Sequence, residues 1–260
     1  MLLKDFLEKL DRLCPFELQE EWDNTGLQIG NGESEIDRVL VAFDFTEAVL
    51  AEAIEKKVQL VLTHHPFFFR SIRTIDLNTA KGRMIGGLIR NDIALVSCHT
   101  NLDKISGYGV GAVLGKLLKL ENCRPFLDEG NDIGFGIVGE LPAPCLLEEF
   151  ALEVKKALNL PAVHCVGAKD RSVSTVAAMG GTGNDFLLQA KDCGADVYVT
   201  ADLQYHDGQA AAEMDLALID AGHFTSEAPT MEYFTARLKE TFPETEFLIA
   251  ESMADYWHFC

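Results

Sequence analysis

The chain has 260 residues, 48% of them hydrophobic, and its 41 acidic and 22 basic residues give a net charge of −19. This length suits one large domain or two small ones, and the apolar content excludes a disordered chain. So acidic a chain lacks the Lys/Arg footprint for binding nucleic acid or an anionic membrane, and it repels phosphorylated substrates unless a local cation inverts the field. We therefore expect neither nucleic acid nor membrane as a partner.

The N-terminal stretch and the cysteines indicate where the protein resides. Leu3, Phe6, Leu7, Leu10 and Leu13 recur at helical spacing between charged residues. This pattern predicts an amphipathic helix and no signal peptide, and no apolar run approaches the roughly 18 residues of a membrane span. The seven cysteines are scattered and never spaced as Cys-x-x-Cys. That favours reduced thiols in a cytoplasmic protein over disulfides or a thiolate zinc site.

Strands and helices alternate in the first half after a turn at residues 23–26. Thr46 is the expected N-cap of one helix. Two strands joined by a helix predict a parallel crossover. The predicted elements are a strand at 27–29, a strand at 38–44, a helix at 46–57, a strand at 58–62, a helix at 80–91, a strand beginning at Ile93 with a loop bearing His99 and Asp103, and a helix ending near Leu120.

The second half repeats this alternation. A glycine-rich loop at 180–183 joins a strand to a helix and would suit phosphate. It has no lysine, and close strand-to-helix packing explains the glycines as well, so we favour packing. The predicted elements are strands at 134–141, 174–179, 195–202, 216–220 and 247–250, and helices at 146–158, 184–193 and 228–241.

Two adjacent histidines end the most apolar strand of the first half. His64 and His65 follow the run 58–62, and Pro66, which has no backbone N–H, stops the sheet ladder there. The carboxyl ends of strands are where open α/β sheets bind ligands. Both rings at one site, or one core histidine and one surface histidine, are equally compatible with this pattern.

Two strand ends carry the same motif, a histidine followed four residues later by a carboxylate. His99 and Asp103 follow one strand, and His223 and Glu227 follow a strand of similar sequence. We interpret this as an internal duplication. The predicted fold is α/β, with two similar α/β halves at 1–126 and 127–260, three layers each with mixed or parallel sheets, and strand ends that face a shared metal cleft. The C-terminal elements are allowed to pack back on the first half.

The cleft of this prediction holds imidazoles and carboxylates without thiolates. Such a set suits zinc, iron, manganese or nickel. Six candidates are too many for one tetrahedral ion and suit two ions that share a carboxylate. The alternative is that each histidine merely caps its own strand. The candidates are His64, His65, His99, Asp103, His223 and Glu227.

Five motifs, WDNTGLQIG, LVLTHHP, SCHTNLD, DVYVTADLQYHDG and DAGHFTSE, resemble the family of GTP cyclohydrolase I type 2 homologs, also called NIF-three-like proteins. The resemblance runs nearly the whole length and implies two divalent metal ions per chain inside a hexameric ring. It assigns the metal ligands to His64, His65, Asp103, His223 and Glu227, with Glu227 as the bridge. It places His99 and His206 close to the site as catalytic residues for proton transfer.

The family name implies a reaction, namely hydrolysis of GTP to dihydroneopterin triphosphate and formate, or of a similar cyclic C–N bond, by metal-activated water. The triphosphate needs cations, and near the predicted site the sequence offers Arg70 and Arg73. The alternative is a metal-binding or metal-delivery protein without turnover, whose residues would look the same. An adaptor that binds protein partners has no support in the sequence.

Overall fold

The computed structural model describes residues 1–258. The six cysteines in this range are free thiols, whereas Cys260 of the thiol prediction lies outside the described residues. Among residues 1–258, no helix is long and apolar enough to cross a bilayer.

The helices and strands follow the predicted alternation. The helices are α1 Leu3–Leu13, α2 Glu47–Glu55, α3 Ala80–Arg90, α4 Thr100–Asp103, α5 Val110–Leu117, α6 Leu147–Ala157, α7 Leu187–Asp192, α8 Tyr205–Glu213, α9 His223–Glu227 and α10 Thr230–Thr241. The strands are β1 Gly26–Ile29, β2 Arg38–Ala42, β3 Leu60–Thr63, β4 Ala94–Ser97, β5 Glu121–Arg124, β6 Leu127–Gly130, β7 Ile133–Phe135, β8 Ile137–Leu146, β9 His164–Val166, β10 Ser172–Thr182, β11 Val197–Ala201, β12 Ala217–Asp220 and β13 Glu246–Ile249.

The chain forms two compact units. Unit 1 consists of Met1–Leu102 and Met231–Ala254. Unit 2 consists of Asp103–Thr230 and the described residues from Asp255 onward. The predicted division at residue 126 follows the sequence repeat instead, and it stays a prediction.

Unit 1 is a three-layer α/β sandwich. Its sheet has the order β1-β4-β3-β2-β13, with β4, β3, β2 and β13 parallel and β1 antiparallel to β4. Side chains of α2 and α3, including Leu50 and Leu88, pack on one face of the sheet. On the other face Phe6 of α1 stacks on Phe242, which follows α10, with 4.5 Å between ring centroids. Thr46 caps α2 as predicted, since its side chain accepts from the Val49 amide.

Unit 2 repeats this arrangement around a six-stranded sheet of order β5-β8-β10-β11-β12-β9. Strands β10, β11 and β12 are parallel, whereas β8 and β9 run antiparallel to their neighbours. Helices α5 and α6 cover one face of the sheet, and α7 and α8 cover the other. Side chains alternate between the faces along β11, so Val197 and Val199 contact the first pair of helices and Tyr198 the second.

The two units place corresponding strands in corresponding positions. In unit 1, β4 lies between the parallel β3 and the antiparallel edge strand β1. In unit 2, β12 lies between the parallel β11 and the antiparallel edge strand β9. The two strands that precede a His-x-x-x-acid motif are therefore topologically equivalent, and the prediction of two similar α/β halves is confirmed.

Some predicted boundaries differ from the observed ones for local reasons. The predicted strand at 134–141 is divided into β7 and β8 at Gly136, which has φ +62° and whose Cβ would lie 2.2 Å from a ring carbon of Phe126. The predicted loop with His99 and Asp103 is wrong in part, because residues 100–103 form α4. The stretch after β12 likewise forms a short helix, α9, and does so before the predicted helix at 228–241 begins.

Candidate metal centre

His64 is held at the carboxyl end of β3 in unit 1. The side chain is completely buried. Its Nδ1 lies 2.9 Å from the backbone carbonyl oxygen of Cys98, which follows β4. Because β3 and β4 are parallel neighbours, their carboxyl ends meet at the same edge of the sheet. The imidazole is thus oriented by the adjacent strand.

His65 and His99 are oriented in the same way by carboxylates. Nδ1 of His65 lies 2.8 Å from Oδ1 of Asp44, which follows the parallel strand β2. Nδ1 of His99 lies 2.8 Å from Oδ1 of Asp23, which precedes the antiparallel strand β1. Because β1 runs antiparallel to β4, it begins at the edge of the sheet where β4 ends, so Asp23 reaches the same edge as the histidines.

These contacts fix the protonation pattern of the three rings. Carbonyl and carboxylate oxygens only accept hydrogen bonds, so each Nδ1 carries the proton and donates it. Nε2 of a neutral ring then offers its lone pair, the arrangement that metal-bound histidines use. We call His64, His65 and His99 the histidine cluster. One ring nitrogen from each lies within 4.8 Å of those of the other two.

The pKa of Asp23, the carboxylate that orients His99, is shifted by its surroundings. Burial alone would raise the pKa of Asp23, but hydrogen bonds from His99 and Thr100 outweigh it and lower the pKa to about 2. The side chain is fully enclosed. Asp23 is therefore a permanent anion that holds the proton on His99 Nδ1.

Unit 2 brings His223 and Glu227 together on α9. In a helix, residues four apart lie on the same face, and Nε2 of His223 lies 3.0 Å from Oε2 of Glu227. Nδ1 of the same ring donates to Oδ2 of Asp202 at 2.8 Å. A neutral ring would therefore direct its Nε2 lone pair at a carboxylate, which is repulsive. A second proton or a cation between the two atoms would remove this repulsion. Two donors bound to one metal ion at about 2.0–2.2 Å lie about 3 Å apart, which is the spacing of His223 Nε2 and Glu227 Oε2.

Asp103 joins this group, which we call the acidic cluster (Asp103, His223 and Glu227). A carboxylate oxygen of Asp103 lies within 4.8 Å of one of Glu227, and Glu227 is buried. Two carboxylates at this distance repel each other unless a proton or a cation neutralises them. Glu227 therefore lies close to both other members of this cluster.

Asp202 orients His223 from the end of β11. Burial raises the pKa of Asp202, but hydrogen bonds from Thr182 and His223 outweigh this effect and lower it. Asp202 has a φ of +55°, in the left-handed region that aspartate tolerates better than most residues. The Ala201 that precedes it is buried at the end of the strand.

The glycines predicted to form a loop, Gly180 and Gly181, lie at the end of β10 instead and make room for the acidic cluster. A Cβ on Gly181, which has φ +62°, would lie 2.3 Å from Oε1 of Glu227 and 3.2 Å from Nε2 of His223. A Cβ on Gly180 would lie 2.7 Å from Cγ of Glu227. The favoured interpretation of these glycines, close packing, is therefore what the structure supports.

The remaining sequence-predicted site residues lie elsewhere. His206 is exposed on α8, with Nδ1 3.4 Å from Oε1 of Gln209. Among residues 1–258, the groups able to hold a metal do not include His206, so its catalytic role stays a prediction. Arg70 and Arg73 are exposed.

A cavity of about 410 Å³ in unit 2 gathers cations that the sequence did not associate. Lys104, Lys116 and Arg124 line it, together with Asp103 and Asp132. Lys104 is buried and pairs with a glutamate, and Lys116 donates to a backbone carbonyl. Because the three cations lie 12 and 8 residues apart in the sequence, no local pattern links them.

The sequence reasoning also missed the orienting carboxylates Asp23, Asp44 and Asp202. Asp44 follows β2 and Asp202 follows β11, so each is an acid at the end of a buried parallel strand. That position was a usable signal. Asp23 offered none, because it meets His99 across 76 residues through the pairing of β1 with β4.

Comparison with known proteins assigns the chain a full-length family match. The family Duf34/NIF3 (NGG1p interacting factor 3) matches residues 1–255. The "GTP cyclohydrolase 1 type 2 homolog" of Clostridium perfringens is 35% identical over 100% of both chains. The hypothetical protein SA1388 of Staphylococcus aureus superposes with a TM-score of 0.94 at 29% identity, covering 100% of this chain and 99% of that one. Reduced HcgD of Methanocaldococcus jannaschii superposes at 0.82 with 28% identity, covering 96% and 98%.

Proposed function

Since the chain belongs to the Duf34/NIF3 family, we propose that it binds two divalent metal ions and uses them to hydrolyse a cyclic C–N bond in a nucleotide ring. The ions are zinc, iron, manganese or nickel, the metals that suit imidazole and carboxylate donors. The ligands are His64, His65, Asp103, His223 and Glu227, with Glu227 as the bridge, and His99 takes part beside them.

The observation that carries this proposal is the orientation of the imidazoles. In His64, His65, His99 and His223 alike, Nδ1 faces an acceptor oxygen at 2.8 or 2.9 Å. The Nε2 atom of each neutral ring is thereby left with a lone pair that a metal ion could accept. Four rings held in one tautomer form a donor set prepared for a cation.

The two clusters are proposed to act as one centre. The resemblance to the family supports this step, since it assigns ligands from both clusters to one pair of metal ions. The histidine cluster brings no negative charge. The acidic cluster supplies the carboxylates that offset the repulsion between two neighbouring cations.

The proposed reaction converts GTP, or a nucleotide with a similar ring, and releases formate. Two divalent ions supply a water whose pKa is lowered toward about 7. The protein's own groups orient the site, since Asp23 and Asp44 hold the protons on His99 and His65. The cations Lys104 and Lys116 in the unit 2 cavity are candidates to hold phosphate in an otherwise acidic chain.

The assembly and location are part of the proposal. We expect a closed homo-oligomer, a hexameric ring, because the resemblance to the family implies one. Light scattering that gave a monomer at micromolar concentration would contradict this. The free thiols of the described cysteines accord with the proposed cytoplasmic location.

Elemental analysis and formate release test the proposal together. Protein purified without chelator should hold two metals per chain, and a reproducible value at or below half a metal would contradict the dinuclear site. Glu227→Gln keeps the shape of the bridge and removes its charge, so it should lose at least one metal and lower formate release from GTP by orders of magnitude. Glu232→Gln, an exposed change on α10 with the same effect on net charge, is the matched control.

The alternative, metal delivery without turnover, predicts a different outcome in the same assay. Wild-type protein would release no metal-dependent formate, yet it would pass metal to a competing chelator, and Glu227→Gln would not. His65 and His223 retain 24% and 33% exposure, so an incoming chelator has access to both rings. Equal formate signals from wild-type, Glu227→Gln and metal-stripped protein would rule out this site as the catalyst.

A further inference from the structure

An exposed tryptophan lies beside the histidine cluster of unit 1. Trp22 is 56% exposed, and its ring meets the His99 imidazole edge-on with 6.0 Å between centroids. Phe69, 49% exposed, lies 5.7 Å from Trp22 on the same surface. Two large aromatic rings are thus left in solvent next to a candidate metal ligand.

Polar contacts join the two chain segments that carry these rings. Asn24 Nδ2 donates to the backbone carbonyl of Phe68 at 2.7 Å, and the Phe68 amide donates to Gln28 Oε1 at 3.1 Å. Gln28 Nε2 in turn donates to the Asn24 carbonyl at 2.7 Å. The segment carrying Trp22 is therefore joined to the segment carrying Phe69. Asp23, bound to His99, anchors it from the other side.

A single exposed tryptophan needs no explanation, but a pair of exposed rings with its own hydrogen-bonded frame does. The frame uses side chains of Asn24 and Gln28 that make no contribution to the apolar core. It fixes the backbone segments that carry both rings beside His99 without needing a ligand to order them. Preorganised aromatic surfaces of this kind bind flat rings at a low entropy cost.

We infer that Trp22, with Phe69, is a stacking surface for a planar heteroaromatic ring, and that it positions that ring beside the histidine cluster. This inference rests on the proposed function and deepens it by naming the part of the substrate that unit 1 recognises. Stacking also tolerates different bases, because every base offers a π-face. Selection of a particular base would have to come from other contacts.

Fluorescence provides a direct readout because the chain has two tryptophans. In a Trp257→Phe background, Trp22 is the only tryptophan, so tryptophan-selective excitation reports on it alone. Trp257 itself is 88% exposed. Titration with GTP or ATP should quench the emission saturably after correction for ligand absorbance. Tripolyphosphate and ribose 5-phosphate, which carry the charge and the sugar without a base, should leave it unchanged.

Direct binding of radiolabelled GTP by equilibrium dialysis separates stacking from folding. Trp22→Ala should raise the Kd about 5- to 150-fold, the range that the loss of one base–aromatic stack produces. Trp22→Phe keeps a ring and should recover most of the affinity. Trp257→Ala is the control and should bind as the wild type does. Unchanged thermal melting of Trp22→Ala shows that the exposed side chain is not needed for folding.

Specific results would overturn the inference. One is a Trp22→Ala Kd within twofold of wild type, and another is quenching that is equal with tripolyphosphate or absent with both nucleotides. Emission that changes with protein concentration and not with GTP would show a second copy of the chain covering Trp22. Metal content and formate release are measured on the same samples. Two metals and formate without a Trp22 effect refute the stacking surface alone, whereas saturable quenching without formate refutes the hydrolase alone.

Discussion

The two units share a strand topology and differ in the chemistry at their strand ends. Unit 1 presents three imidazoles, at His64, His65 and His99, and unit 2 presents one imidazole with the carboxylates of Asp103 and Glu227. Neutral imidazoles donate lone pairs without changing the charge of a site, whereas carboxylates neutralise cations. In the proposed function, unit 1 would therefore contribute neutral donors to the metal ions, and unit 2 would contribute the negative charge that compensates them.

The carboxylates that orient the histidines also differ between the two units in their exposure to solvent. Asp23 beside His99 has no exposed side-chain surface, whereas Asp202 beside His223 is 48% exposed. Both carboxylates accept from Nδ1 at 2.8 Å. The same contact should therefore have a larger effect on stability in unit 1 than in unit 2, because solvent screens the exposed pair.

The largest effect is expected at Gly181, near the end of β10 in unit 2. Gly181→Ala would place a Cβ 2.3 Å from Oε1 of Glu227, so the carboxylate must move out of position. We expect loss of at least one metal per chain by elemental analysis, with any metal-dependent formate release lowered at least about 100-fold, since a missing ligand removes several kcal/mol of charge stabilisation.

Gly194→Ala provides the matched control for this change. Gly194 also has a left-handed backbone, with φ +86°, and no atom lies within 4 Å of the position of its Cβ. It should lose about 1–2 kcal/mol of stability from backbone strain and keep its metals. Equal metal content in the two variants would show that Gly181 does not set the position of Glu227.

The fold could be predicted wherever an element is buried. Strands β3 and β4 are buried at every position, and their apolar runs end on polar residues. Strand β5 was missed because all four of its residues are exposed and show no alternation. The helix α9 was missed because His223-Phe224-Thr225-Ser226-Glu227 has no apolar periodicity, and its five residues are too few to show one.

The candidate ligands could be found from the sequence because they follow predicted strands and because the His-x-x-x-acid motif occurs twice. Their orienting partners depend on strand pairing, which the sequence does not encode locally. Asp23 meets His99 only because β1 pairs with β4, across 76 residues of the sequence. The cations Lys104, Lys116 and Arg124 come from a loop, a helix and a strand, so only the folded chain brings them to one cavity.

A second prediction concerns the contact between the two chain segments of unit 1, in which Glu52 of the first segment binds residues 251 and 252 of the second. Burial would raise the pKa of Glu52, but hydrogen bonds from Lys56 and Ser252 outweigh it and lower the pKa from 4.5 to about 2. Its carboxylate also accepts from the Glu251 amide at 3.0 Å. Glu52→Gln should lower the unfolding free energy by about 2 kcal/mol at pH 7, allowing for solvent screening.

The pH dependence of this difference follows from the direction of the shift. Because folding lowers the pKa of Glu52, the stabilisation is complete above pH 4.5 and is lost as the pH falls toward 2. Denaturant unfolding of wild type and Glu52→Gln should therefore converge progressively as the pH falls from 4.5 to about 2. Glu55→Gln, an exposed change on the same helix, should show no such convergence. A difference that stayed constant from pH 7 to pH 2 would contradict the assignment.

The third prediction tests the orienting carboxylate of unit 1. Asp23→Asn keeps the shape of the side chain and removes the charge that accepts from His99 and Thr100. We expect about 1–2 kcal/mol lower stability in denaturant unfolding and about 10- to 100-fold weaker metal binding in competition with a chromophoric chelator. Weaker stability with unchanged metal affinity would show that Asp23 only supports the fold.

The smallest effect on stability is expected from the equivalent change in unit 2. Asp202→Asn removes a carboxylate that accepts from His223 Nδ1 at 2.8 Å and from Thr182 Oγ1 at 2.6 Å, but the group is half exposed. Stability should fall by less than about 1 kcal/mol, while metal affinity should still fall about 10-fold because the ring loses its fixed tautomer. Thr182→Val keeps the contact between Asp202 and His223 and should change metal affinity less than Asp202→Asn does. If Asp202→Asn instead cost more stability than Asp23→Asn, burial would not explain the difference between the two units, and the charge environment of the acidic cluster would have to.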